Sequence, residues 1–119
     1  MKTRLRKSYR LDALDHSIRV ARTSREANLL HDSKRAGVPT PTVYQVDTAG
    51  CTIIMEYVDG SRLKEALTDM DQSELRRTCK HVGSLIGRLH SAGIVHGDLT
   101  TSNMILRDGA KLFFIDFGL

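Results

Sequence analysis

The segment that leaves this 119-residue chain least freedom is the polar octapeptide His96-Gly-Asp-Leu-Thr-Thr-Ser-Asn103, set between apolar Ile94-Val95 and the apolar run Met104–Leu106. So polar a run belongs in a surface loop, and the apolar run that follows it belongs in a strand. Asp108-Gly109 is a hairpin turn signal joining Met104–Leu106 to the second apolar arm Lys111–Ile115. That arm runs directly into Asp116-Phe117-Gly118. Two polar segments thirteen residues apart, from Asn103 to Asp116, are thus expected at the ends of one hairpin.

Upstream the period is helical. Leu11, Leu14, Ile18, Ala21, Leu29 and Leu30 recur at roughly helical spacing until Gly37, with Pro39 and Pro41 beyond it, which predicts helix over residues 12–36. Thr23-Ser-Arg-Glu26 reads as a capping box, which would divide that helix in two with a kink near Arg22. Thr42–Asp47 and Cys51–Tyr57 form a first hairpin around Thr48-Ala-Gly50, and a short helix follows from Arg62 to about Leu67. Leu75, Cys79, Val82, Leu85, Ile86 and Leu89 mark one buried stripe on a long helix that starts near Asp71 and ends before Gly93. Strands on both sides of a long helix make the class α+β.

Composition removes several alternatives. The longest apolar stretches, Thr52–Met55 and Leu112–Ile115, are far short of the roughly 20 residues of a membrane span. Basic Met1–Lys7 leads into Ser8, Tyr9, Arg10 and Asp12 rather than an apolar core, so it is no secretory signal. Cys51 and Cys79 stand alone, without metal-ligand spacing, and are expected to be reduced in a cytoplasmic protein. Residues 1–36 carry ten Lys/Arg against four Asp/Glu, while residues 37–119 carry eight against ten. A basic end can meet phosphate or nucleic acid, but a solvated helix face has the same charge.

The chemistry is carried by Asp98, Asn103 and Asp116. Phosphoryl transfer from a nucleotide needs a carboxylate to orient and deprotonate the attacking hydroxyl, and oxygen ligands to hold magnesium on the phosphates. An Asp followed five residues later by an Asn, with a second Asp after the next hairpin, supplies that set. Turn-capping would account for Asp98 and Asn103 but not for Asp116. His96 is assigned to packing and hydrogen bonding rather than to proton transfer.

With HGDLTTSN in the loop and Ile115-Asp116-Phe117-Gly118-Leu119 at the end, the chain resembles the eukaryotic-like protein kinases. More narrowly it resembles the small kinase subunits of the KEOPS complex, an atypical family related to the RIO kinases. Lys7-Ser-Tyr9-Arg10 and Arg22-Thr-Ser-Arg-Glu26-Ala27 support this. Aminoglycoside-type and choline-kinase-type phosphotransferases also use His-Gly-Asp, but they usually continue differently and end in Asp-x-Gly, and rank second.

The resemblance implies a partial two-lobe kinase fold. Residues 1–58 would be part of the N-lobe, and 59–119 the start of the C-lobe. Asp98 is implied as the base, with Asn103 and Asp116 as magnesium ligands on ATP. Lys2 stands where the family has its phosphate-binding lysine, although it could be one of several arm cations. Glu26 would be its ion-pair partner, or else a helix cap. Met55 would line the rear of an adenine pocket, or pack in the core, and backbone groups of Glu56 and Val58 would meet the base. Gly97 replaces the arginine that pairs with an activation-loop phosphate in many protein kinases, so that switch is not expected.

The family implies autophosphorylation and ATPase activity beside the Kae-type subunit that makes threonylcarbamoyl-adenosine on tRNA. The compartment would be the cytoplasm, and the nucleus as well in a eukaryote. Contact with tRNA is expected only indirectly, since Tyr9 is the sole aromatic in the basic arm. Because no glycine-rich turn precedes Lys2 and the chain ends at Leu119, it reads as truncated at both ends, inactive and marginally stable by itself. The competing class is a non-catalytic nucleotide- or partner-binding module.

Overall fold

The computed structural model describes residues 1–5, 12–108 and 111–117. The Lys7–Arg10 segment, Leu11, Gly109 of the second turn, and Gly118-Leu119 lie outside the described residues. The class is mixed α and β. Strand β1 (Lys2–Thr3), helix α1 (Asp12–Arg35), β2 (Val43–Asp47) and β3 (Thr52–Met55) come first, then β4 (Ser61–Arg62), α2 (Leu63–Ala66), α3 (Gln72–Ser91), β5 (Met104–Arg107) and β6 (Lys111–Phe114). Two small antiparallel sheets result, ordered β1-β3-β2 and β4-β5-β6.

Both long helices stop by the same device. Gly37 (φ +92°) and Gly93 (φ +74°) take the left-handed conformation that side chains avoid. The next N–H then bonds back five residues, from Val38 to the Ser33 carbonyl at 3.0 Å and from Ile94 to the Leu89 carbonyl at 2.9 Å. Each stop carries an apolar residue into the core, where Val38 and Ile94 are buried. That core joins Leu30, Leu63, Leu85, Leu89, Met104, Leu112, Phe114 and Phe117, so its strand residues come from the second sheet, while Val43 and Met55 of the first sheet pack against it only partly buried. The Phe114 N–H donates to the Pro39 carbonyl at 2.9 Å, tying β6 to the segment after α1.

Three expectations change. Helix α1 is continuous over its 24 residues, without a break near Arg22. Thr23 Oγ1 donates to the Arg19 carbonyl at 2.7 Å, a bond to the preceding turn that a helix tolerates, and so caps nothing. Second, the buried face of α1 is not the apolar set. Asp15, Thr23, Glu26 and Ser33 are buried beside Ala27 and Leu30, whereas Leu14 is exposed. Lys2 and Arg4 pair with Glu26, which is why that face can be polar and buried. Third, the stripe on α3 is covered only toward its C-terminal end. Leu85 and Leu89 are buried and Val82 and Ile86 pack against them, while Leu75 and Cys79 are exposed. Asp71 caps this helix, its carboxylate accepting the Glu74 N–H. Both cysteines are free.

Candidate active site

Pairing of β1 with β3, Lys2 opposite Ile53, holds Lys2 across from α1. Its ammonium donates to Glu26 Oε2 at 2.7 Å and to Asp116 Oδ1 at 2.9 Å. The Glu26 carboxylate is almost fully buried, and Arg4 Nη2 reaches its other oxygen at 3.3 Å. A buried carboxylate needs such partners. Burial pulls the Lys2 pKa down, but its bonds and attraction to Glu26 and Asp116 outweigh that and raise it above its usual value, so the amine is held as a cation.

Beside this charge cluster opens a cavity of about 230 Å³. Lys2, Glu26 and Asp116 line it together with Met55, Glu56, Tyr57 and Val58, the segment that leaves β3. Leu30, Pro41, Ile105 and Ile115 supply further apolar wall. A mostly apolar slot with charge beside it suits a planar base carrying an anionic group. The Glu56 N–H is taken by the Thr42 carbonyl at 2.8 Å, which leaves the Glu56 carbonyl as its backbone group for a base. The Glu56 carboxylate accepts the Thr42 N–H at 3.2 Å and lies 3.6 Å from Arg107. That N–H bond, with Lys34 and Arg107 nearby, lowers the Glu56 pKa below its ordinary value.

The polar loop is stitched to the end of β6. The Asp98 N–H donates to His96 Nδ1 at 3.1 Å, so the ring proton sits on Nε2, which donates to the Ile115 carbonyl at 2.7 Å. Gly97, at φ +95°, supplies the left-handed turn that bends the chain between His96 and Asp98. Buried His96 also packs on Phe117, ring centres 4.3 Å apart. Asn103 Nδ2 donates to the Asp98 carbonyl at 2.8 Å and to Asp98 Oδ2 at 3.3 Å, while the Asn103 carbonyl accepts the Ile115 N–H at 3.0 Å. Ile115 thus holds both ends of the loop, and Asp116 follows it at φ +56°, a strained conformation for a non-glycine residue.

Lys2, Glu26, Met55, Glu56, Val58 and Asp116 therefore share one cavity wall, while Asp98 and Asn103 lie outside that lining and join it through Ile115. Arg4, Tyr57, Ile105 and Ile115 were missed from sequence. Only Ile115 carries a usable signal, as the last residue of the apolar arm, next to Asp116. Among the described residues no group of three or more His, Cys, Asp and Glu side chains could hold a metal ion unaided. The donor set nevertheless fits a hard cation shared with phosphates. With Nδ2 committed to Asp98, Asn103 has its amide oxygen left, and the Asp116 side chain is half exposed.

Residues 2–118 match the RIO domain family, and the chain belongs to it. Membership implies a kinase-like fold. The chain is 53% identical over 119 residues to the KEOPS complex subunit Bud32 of Pyrococcus abyssi, all of this chain matching 54% of that protein. Over the same length it is 45% identical to the EKC/KEOPS complex subunit BUD32 of Encephalitozoon cuniculi, of which it covers 57%. It is also 45% identical to a probable bifunctional tRNA threonylcarbamoyladenosine biosynthesis protein of Methanothermobacter thermautotrophicus, covering 21% of that longer chain. The chain thus spans little more than half the length of the single-function relatives. Among the described residues no helix is long and apolar enough to cross a membrane.

Proposed function

We propose that this chain carries the nucleotide site of an atypical RIO-type kinase or ATPase that works in a KEOPS complex and supports threonylcarbamoyladenosine modification of tRNA. The observation that carries this reading is Lys2 bridging Glu26 and Asp116 at the edge of the cavity lined by Met55–Val58. The base lies against Met55, with the Glu56 carbonyl and the Val58 N–H toward its polar edge. Lys2, backed by Glu26, exchanges Asp116 for the α- and β-phosphates. Asn103 Oδ1 and the Asp116 carboxylate would hold magnesium, which would supply neutralisation of charge on the phosphates. Asp98, exposed and oriented by Asn103, accepts the proton of the attacking hydroxyl or water.

In this reading residues 1–58 are N-lobe and 59–119 the start of the C-lobe, with the cavity at their junction. The partners are other KEOPS subunits, the Kae-type tRNA-modifying subunit first, with tRNA reached only through them and no membrane involved. The compartment is the cytoplasm, and also the nucleus in a eukaryote. The deciding experiment is a titration of the purified full-length protein, which contains this chain, with ATP, with magnesium and with excess chelator, followed by phosphate release. Magnesium-dependent binding with turnover is the expected result. Binding without turnover would favour a non-catalytic module, and no binding would remove the proposal.

A further inference from the structure

Glu26 is shared between two cations, one on each oxygen. Lys2 takes Oε2 at 2.7 Å and Arg4 takes Oε1 at 3.3 Å. Arg4 is placed by more than this contact. Its N–H donates to the Cys51 carbonyl at 3.0 Å, which continues the pairing of β1 with the edge of β3. Its carbonyl accepts from Arg19 Nη1 at 3.3 Å, and Arg19 Nε donates to the fully buried Asp15 at 2.7 Å. Asp15, Arg19, Thr23 and Glu26 fall on one face of α1, spaced four, four and three residues apart. A polar ladder on the helix therefore fixes the strand end that carries both cations.

The charge sum gives the arrangement its meaning. Lys2 and Glu26 alone are a neutral pair, a weak attractor for phosphate. Arg4 makes the triad net positive, and Asp116 balances that charge in the structure as it stands. When Asp116 turns to a metal ion, the surplus positive charge is left facing the cavity. Arg4 also occupies Oε1, so Lys2 is held by one oxygen rather than drawn between two. The buried Nε of Arg4 has no partner among the described residues, a cost that strand-building alone does not explain.

We propose that Arg4, anchored by Arg19 and Asp15, is a positioning residue that makes the cluster it forms with Lys2 and Glu26 net positive and keeps Lys2 free to turn to the nucleotide phosphates. This rests on the reading of Lys2 as the phosphate lysine. It differs from a structural role in acting on phosphate recognition and in acting through Lys2.

The test compares affinities for magnesium-ATP and for adenosine in full-length protein carrying Arg4→Gln, Arg4→Lys, Arg19→Gln, Lys2→Met, and Arg4→Gln combined with Lys2→Met. Arg4→Gln is expected to weaken ATP about tenfold, within the usual coupling range for residues sharing one ion-pair network, and to leave adenosine unchanged. Arg4→Lys should recover most of the loss. Arg19→Gln should give a smaller loss, again confined to ATP, and serves in place of Arg4→Gln if that variant does not fold. In the Lys2→Met background Arg4→Gln should cost less than in the parent, since only its charge, and no longer its hold on Lys2, is then lost. Equal losses for ATP and adenosine would reduce Arg4 to a structural residue, and an ATP-confined loss of the same size with and without Lys2 would make it a bare charge that does not act through Lys2; either would overturn this inference while leaving the phosphate reading standing. A Lys2→Met variant that binds ATP like the parent would remove that reading and this inference with it.

Discussion

Lys2 and Asp116, 114 positions apart in the chain, meet at 2.9 Å between Nζ and Oδ1. Almost the whole chain must fold to make that contact, because β1 is held by β3 and Asp116 by the hairpin β5–β6. The two residues are those assigned to phosphate and to metal. Their pairing presents a site whose charges are already balanced before a ligand arrives.

Asp98→Asn should lower turnover about 10²–10⁴-fold, the usual range for a positioned acid–base group. Magnesium-ATP affinity should stay near that of the parent, since Asp98 lies outside the cavity lining. Steady-state phosphate release, paired with a binding isotherm, checks both parts. Unchanged turnover would take the base role from Asp98.

For Asn103→Ala and Asp116→Ala, ATP affinity should fall more with magnesium than with excess chelator, because each variant removes one of the proposed oxygen ligands. Asn103→Ala also cuts the bonds to Asp98, so its turnover should drop further than its affinity. Equal affinity losses with and without the metal would point to misfolding and against the ligand assignment.

His96→Leu keeps approximate volume but strands the Ile115 carbonyl and the Asp98 N–H. An unmade bond costs about 1–3 kcal/mol where the stranded group is buried and less where water reaches it, as at the exposed Asp98, so the melting temperature should fall, mainly through the half-buried Ile115 carbonyl. Asp98→Asn leaves both of these bonds intact and should melt close to the parent. A His96→Leu protein as stable as the parent would show that the ring does not tie the loop to β6.

Glu56 provides a pH dependence with a definite sign. Its folded-state pKa is lowered, first by the Thr42 N–H and then by Lys34 and Arg107. Its stabilising contribution is therefore complete above the ordinary value of 4.5 and is lost as pH falls through the lower folded value. Glu56→Gln should flatten that limb of the stability curve between about pH 5 and 3. Denaturant melts across that interval give the comparison. Parallel curves for parent and variant would mean that the carboxylate is not held as described.

Part of the frame around the proposed site is legible in the sequence. Spacing singles out Asp98, Asn103 and Asp116 as candidates, and apolar runs with a turn signal bring the loop close to the end of the second hairpin, which the bonds through Ile115 bear out. The helix stops at Gly37 and Gly93 were legible for the same reason, since a left-handed residue after a helical period is a local requirement. Glu26 was ambiguous because Thr23-Ser-Arg-Glu26 satisfies a local capping pattern as well as a distant pairing, and nothing within four residues separates the two.

What the sequence determined by itself was local chemistry: which segments curl or extend, where they stop, and which polar groups stand at their ends. These outcomes depend on backbone sterics and on neighbours a few residues away. The tertiary structure decided that Glu26 faces Lys2 and Arg4, and that α1 runs unbroken with Asp15, Thr23 and Glu26 buried. It also decided that Leu75 and Cys79 stay exposed on α3 while Leu85 and Leu89 are covered. The physical reason is that burial and pairing of charge depend on what packs opposite, and here the partners of Glu26 lie 22 and 24 residues away.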